Sequence, residues 1–156
     1  PSGIARDLEP LMNILAEHRV PIMFLTAWTQ FGTAIWHGMP LFIDALAESY
    51  PEVPIIITKM GRGYDFLFEM CLLIAYKYEH VYLDTVQSKP EHVARAVSEL
   101  GADRVIFGTD WEQTWTAVKT PDDLYTRSLA IVEDSGISEE DKNWVLGATA
   151  AKLYGI

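Results

Sequence analysis

The chain has 156 residues, enough for one domain with a real core, and its 49% hydrophobic and 22% charged residues are those of an ordinary globular protein. Twenty-two acidic against twelve basic residues give a formal charge of −10, which speaks against nucleic acid and anionic membranes as partners. A single cysteine excludes an intrachain disulfide framework and a cysteine zinc cluster. No run is long and apolar enough for a transmembrane helix, and a cytoplasmic setting is expected.

In chain order, helix and strand patterns alternate. Leu8 to His18 has helical spacing, with Leu8, Leu11, Met12 and Leu15 on one face. Val20 to Thr26 is an apolar run of β-formers, with Pro21 at a tolerated position near its start. A loop rich in aromatics and glycine follows from Trp28 to Pro40, and Leu41 to Tyr50 returns to helical spacing. Val53 to Met60 reads as a second strand, closed by the turn Gly61-Arg62-Gly63. Tyr64 to Tyr78 is apolar on nearly every side, which predicts a helix covered on most faces, with Cys71 in the core. Val81 to Thr85 is a third strand, and Pro90 to Leu100 a helix with proline in its first turn. Val105 to Phe107 forms a fourth strand. Thr120-Pro-Asp-Asp123 and Ser138-Glu-Glu-Asp141 both read as helix starts.

Four strand–helix units with near-continuous apolar strands predict an α/β fold with a parallel sheet in sequential order. Residues that end parallel strands gather at one end of such a sheet, where these folds place their chemistry. That puts Leu25, Lys59 and Asp110 together. Gly108, two residues before Asp110, allows a turn or a close approach there. Lys59, desolvated at a strand end, either pairs with Asp110 or Asp84 or acts as a Schiff-base nucleophile. Trp28, Trp36, Trp111 and Trp115 fall in loops at the same end and suggest an apolar pocket or interface. Trp28, His37, Arg62 and Trp111 are the candidate substrate-binding residues, Arg62 for a carboxylate. His18 and His92 read as solvated helix residues and His80 as a surface turn residue.

Several stretches carry a resemblance. Val20-Pro-Ile-Met-Phe-Leu-Thr26, Ile55-Ile-Ile-Thr-Lys-Met-Gly61, Val81-Tyr-Leu-Asp-Thr85, Arg104 to Trp111 and Thr149-Ala-Ala-Lys-Leu-Tyr154 together resemble the C-terminal half of the amidohydrolase-related family. Members are metal-dependent TIM-barrel hydrolases and decarboxylases. Phe-Gly-Thr-Asp-Trp111 is the most specific segment. The resemblance implies that residues 1–156 form a single domain, half of a TIM (β/α)8 barrel equivalent to strands 5–8, with the N-terminal half absent. It implies a divalent metal, zinc first, held by histidines of the first, fifth and sixth strands and by an aspartate ending the eighth, which also takes a proton from bound water. Asp110 matches that aspartate as metal ligand and catalytic residue.

The departures are Leu25 and Lys59 where the fifth- and sixth-strand histidines stand, and Thr149 in place of the usual asparagine. Leucine cannot bind a metal and an ammonium repels one, so the chain alone is expected to bind no divalent ion tightly. The implied function is a metal-dependent hydrolase or decarboxylase of a small cyclic or carboxylate substrate, its metal site incomplete in this chain. The alternatives are an inactive barrel-derived binding or assembly module and a Schiff-base lyase using Lys59. A half-barrel exposes strand edges and an inner face bearing Ile56, Leu83 and Ile106, which predicts a homodimer or association with a separate N-terminal half.

Overall fold

The computed structural model describes residues 2–27, 35–111 and 120–156. Four strands, β1 (Ile22–Leu25), β2 (Ile55–Thr58), β3 (Val81–Asp84) and β4 (Val105–Ile106), form one sheet in sequential order. Every pairing is parallel, with Ile22 opposite Ile55, Ile55 opposite Val81 and Leu83 opposite Val105. Helix α1 (Ser2–His18) precedes β1, and α2 (Leu41–Ser49), α3 (Asp65–Lys77) and α4 (Pro90–Leu100) supply the crossovers. After β4 come α5 (Pro121–Glu133), α6 (Glu139–Asn143), a π-helical turn over Trp144–Ala148, and α7 (Thr149–Tyr154). The predicted order and direction hold. The strands are shorter than the apolar runs, because the outermost residues of each run leave the ladder.

Alternation along the strands divides the sheet into two faces. Ile55, Ile57, Val81, Leu83 and Val105 are fully buried against the helices, in one core with Ile43, Leu46, Phe68, Cys71 and Val93. Ile56, Thr58, Asp84 and Ile106 stand on the opposite face and line a cavity. Leu83 therefore belongs to the helix-covered core and not to the inner face. The run Val81-Tyr-Leu-Asp84 gave no polar alternation to set its phase, but the register of Ile56 with Tyr82 does.

Helix α3 is less covered than its composition predicts. Phe66, Leu73 and Tyr76 are 66%, 66% and 69% exposed along one side of it. Its C-terminus is held by Arg104 at the start of β4, whose guanidinium donates to the carbonyls of Ala75 and Tyr78 at 2.9 and 2.8 Å. The Ala75 carbonyl, in the last turn, gains a partner by this contact, the Tyr78 carbonyl accepts from the Val81 N–H as well, and β4 is tied beneath α3. Cys71 is buried, its thiol pushed up to about 12 by desolvation. Helix α5 begins as predicted, the Thr120 hydroxyl accepting from the Asp123 N–H.

Beyond β4, the backbone N–H of Phe107 donates to the Val145 carbonyl in the π-helical turn at 2.8 Å. Ile106 accepts from Thr85 of the β3 side, so by alternation Phe107 donates on the opposite flank of β4. The Thr149 hydroxyl, buried one turn later, donates to the Ala102 carbonyl at 3.1 Å. That bond gives Thr149 a packing reason: it closes the last helix onto the segment leading into β4.

Among the described residues, no helix is long and apolar enough to cross a membrane.

Candidate active site

The C-terminal ends of β2, β3 and β4 bring three side chains into one cluster. The Lys59 ammonium donates to Asp110 Oδ2 at 2.7 Å, and its side chain is only 7% exposed against 18% for Asp110. Gln87 joins both: its Nε2 donates to Asp110 Oδ2 at 3.3 Å, and its Oε1 accepts from Lys59 at 3.4 Å. Strand direction placed Lys59 and Asp110 at one end of the sheet and left the lysine's partner open between Asp110 and Asp84; the ammonium is paired with Asp110. Gln87 was not predicted. It lies in a turn beyond β3, outside any periodic pattern, and only the fold places it there.

The backbone is strained where these residues meet. Lys59, Gln87 and Asp110 have φ of 67°, 52° and 56°, the left-handed region that residues with a Cβ seldom occupy. Positive φ continues from Lys59 through Gly63, with Met60 at 25° and Arg62 at 53°. Such conformations cost on the order of 1–3 kcal/mol each and persist where surrounding contacts enforce them. Four hydrogen bonds and one glycine do so here. Asp84 Oδ1 accepts the Lys59 N–H at 2.7 Å and the Val86 N–H at 3.1 Å. Thr26, just past β1, donates to the Thr58 carbonyl and accepts from the Gly61 N–H at 3.3 Å. Gly61 itself is obligatory, since a Cβ there would lie 2.6 Å from the Phe68 nitrogen.

Gly108 answers the second predicted use of a glycine, close approach. A Cβ on it would lie 2.6 Å from Val86 Cγ2. Without one, the chain leaving β4 passes close over β3, and Asp110 reaches Lys59.

Asp84 is a second residue of this cluster whose place the sequence alone undervalued. It is 3% exposed, and burial pushes its carboxyl up to about 7 against the pull of two backbone N–H groups and the Lys59 charge. The negative charge of Asp110 adds to the upward push. Its signal was available, because Asp84 ends β3 on the same face as Thr58 ends β2.

Lys59, Asp84 and Asp110 border a cavity of about 360 Å³ on the inner face, floored by Met23, Ile56 and Ile106. The other predicted residues lie around or apart from it. Trp111 is 45% exposed, its ring 6.1 Å from that of Tyr125. Arg62 is exposed on the left-handed turn. His37 is exposed with its ring 4.0 Å from Trp36. Trp28 and Trp115 lie outside the described residues. His92 corrects its prediction: 4% exposed, it stacks on Phe68 at 4.1 Å and meets Asp65 Oδ1 at 2.9 Å. His80 is half-buried, and desolvation holds its imidazole below the usual range.

The donor set does not fit the divalent metal that the resemblance implies. Among the described residues, no three histidine, cysteine, aspartate or glutamate side chains are grouped to hold one. Asp110, the expected ligand, already carries an ammonium on Oδ2, and Leu25 offers no donor atom. The cluster can instead bind an anion beside Lys59 and move protons through two carboxyl groups in different environments.

A curated relative, the gamma-resorcylate decarboxylase of a Polaromonas species, is 24% identical over 136 residues, which are 76% of this chain and 39% of that protein. An uncharacterised TIM-barrel protein from Bordetella bronchiseptica superposes with a TM-score of 0.74 at 18% identity, over 95% of this chain and 50% of the other. A Polaromonas dihydroxybenzoic acid decarboxylase, solved with manganese and the inhibitor 2-nitroresorcinol, superposes with a TM-score of 0.65 at 18% identity, over 94% and 53%. The chain thus spans about half the length of these proteins, and its sheet corresponds to part of a TIM barrel. The sequence profile of the family named Amidohydrolase matches residues 2–156, and with the parallel half-barrel sheet it establishes that the chain belongs to that family.

Proposed function

We propose that the chain forms the catalytic half of a barrel enzyme that decarboxylates or hydrolyses a small cyclic carboxylate. The observation that carries this reading is the Lys59–Gln87–Asp110 cluster, held in strained backbone above an apolar cavity. Strain concentrated at interacting polar side chains is hard to account for by stability alone. The decarboxylase relatives support an aromatic carboxylate as substrate, and the cavity floor of Met23, Ile56 and Ile106 suits a ring.

In this reading Lys59 orients the substrate carboxylate, and Gln87 holds Lys59 against Asp110. Asp84, neutral in part near pH 7, gives a proton to the ring carbon as the bond to the carboxylate breaks and carbon dioxide leaves. For hydrolysis of a cyclic ester or amide, Asp110, held by Lys59, takes a proton from the attacking water as the carbonyl carbon's bond to its oxygen or nitrogen leaving group breaks, and that group is protonated by Asp84. The Schiff-base alternative is disfavoured by the carboxylate 2.7 Å from the Lys59 ammonium, since an ion-paired ammonium has no lone pair for a carbonyl.

The test is carbon dioxide release from gamma-resorcylate and related hydroxybenzoates, with identification of the decarboxylated phenol. Turnover should fall by about 10²–10⁴-fold in Asp84→Asn and Asp110→Asn. No turnover with any of these compounds would leave the binding or assembly reading in its place.

A further inference from the structure

The family resemblance asks for a divalent cation at these strand ends, and the chain puts its own cation there. Lys59 occupies the position of a family histidine, and its ammonium contacts the carboxylate that would be a metal ligand. An ammonium has three donors. One goes to Asp110 and a longer one to Gln87, which leaves a third beside the cavity that Lys59 lines. The position is enforced from below. The Lys59 N–H is held by the buried Asp84, and the turn after it is fixed by Thr26 and by the glycine at 61. A side chain that had merely drifted into a vacated site would not need a left-handed backbone to reach it.

We infer that Lys59 is a built-in replacement for the metal ion, so that the site formed by this chain binds a small carboxylate through a fixed ammonium and works without a divalent cation. The inference rests on the proposed reading of the cavity as a carboxylate site. Two positive centres cannot share Asp110 in a poorly hydrated setting, so a metal would have to displace Lys59 from its partner. Gln87 is then a positioning residue that keeps ammonium and carboxylate in register while leaving the cavity side of Lys59 open.

The test uses the purified protein after dialysis against a chelator. Mn²⁺ and Zn²⁺ are titrated by calorimetry into the wild type and Asp110→Asn. The expected result is the same weak uptake by both, from surface acids alone. A stoichiometric site in the wild type that Asp110→Asn abolishes would overturn the inference. In a second arm gamma-resorcylate is titrated in the presence of chelator. Lys59→Met should bind it at least about tenfold more weakly, the loss expected for a charge-assisted hydrogen bond. Asp110→Asn, which releases the ammonium, should bind it more tightly and does not depend on Lys59→Met folding. Equal affinity in wild type and Asp110→Asn overturns the idea. Chelator-resistant binding that needs Lys59, without carbon dioxide release, would sink the proposed activity and leave this inference standing. An Asp110-dependent metal accompanied by turnover would do the reverse.

Discussion

Removing both members of the Lys59–Asp110 pair should cost less than the two single removals added together. The ammonium is 7% exposed and the carboxylate 18%, so the two charges are unequally dependent on each other. Breaking a buried pair by deleting one partner costs about 3–5 kcal/mol when the survivor is fully enclosed. In Asp110→Ala the Lys59 ammonium keeps Gln87 Oε1 at 3.4 Å and the attraction of Asp84, and a loss of about 2–4 kcal/mol is expected. In Lys59→Met the Asp110 carboxylate keeps Gln87 Nε2 at 3.3 Å and its greater exposure, which reduces the loss to about 1–2 kcal/mol. The double variant Lys59→Met/Asp110→Ala leaves no stranded charge, and should be no less stable than Asp110→Ala alone. The implied coupling is about 1–3 kcal/mol. Backbone strain at 59 is common to both sides of the cycle and cancels from it. The assay is urea unfolding of all four proteins, followed by circular dichroism and analysed at a common m-value. Repetition at about 1 M salt should leave the coupling nearly unchanged, because a pair this buried is poorly screened. Additivity within about 0.5 kcal/mol would refute the argument, since it would mean that the two side chains do not sense each other in solution.

Gly61→Ala should destabilise the chain by about 2–4 kcal/mol, through a left-handed φ of 85° and a Cβ 2.6 Å from the Phe68 nitrogen; thermal unfolding measures it, and a shift within error would mean the turn is wrongly described. Asp84 gives a pH prediction of unusual sign. Its folded carboxyl, at about 7, lies above the ordinary 3.8, so the native state binds the extra proton between those values and stability falls as pH rises through that window. The contribution is fully present below about pH 4 and lost above about pH 7. Asp84→Asn keeps an acceptor for the Lys59 and Val86 N–H groups, and should flatten the slope by up to about 2–4 kcal/mol relative to wild type. Parallel pH profiles of the two proteins would show that Asp84 does not titrate there.

The sheet was legible because its strands are apolar on both faces, as parallel strands covered by helices must be. Strand direction alone brought Lys59 and Asp110 together, and it needed no knowledge of side-chain geometry. That uniform apolarity also hid the phase of the strands, which is why Leu83 was placed on the wrong face and Asp84 was read only as a spare partner for Lys59. The same limitation hid the bare side of α3, where Phe66, Leu73 and Tyr76 look no different from core residues. Gln87 and His92 were missed for another reason. Each acquires its meaning from a neighbour distant in sequence, Asp110 for the first and Phe68 with Asp65 for the second. No local pattern encodes such a meeting.

The bond from Phe107 to Val145 gives the sheet a sidedness. The chain's own last helical segment already takes up a donor on the outer flank of β4, so a further strand could add there only by displacing it. At β1 the side chains of Met23 and Leu25 are 56% and 38% exposed. Two copies related by a two-fold axis through β1 would align those strands antiparallel, which cannot continue a parallel barrel. To close a barrel from two copies, β1 of each must meet β4 of the other, and both Val145 carbonyls must give up their partners first. The two edges of the sheet thus differ: the Phe107 N–H on the outer flank of β4 is already taken by Val145, while Met23 and Leu25 of β1 present exposed side chains.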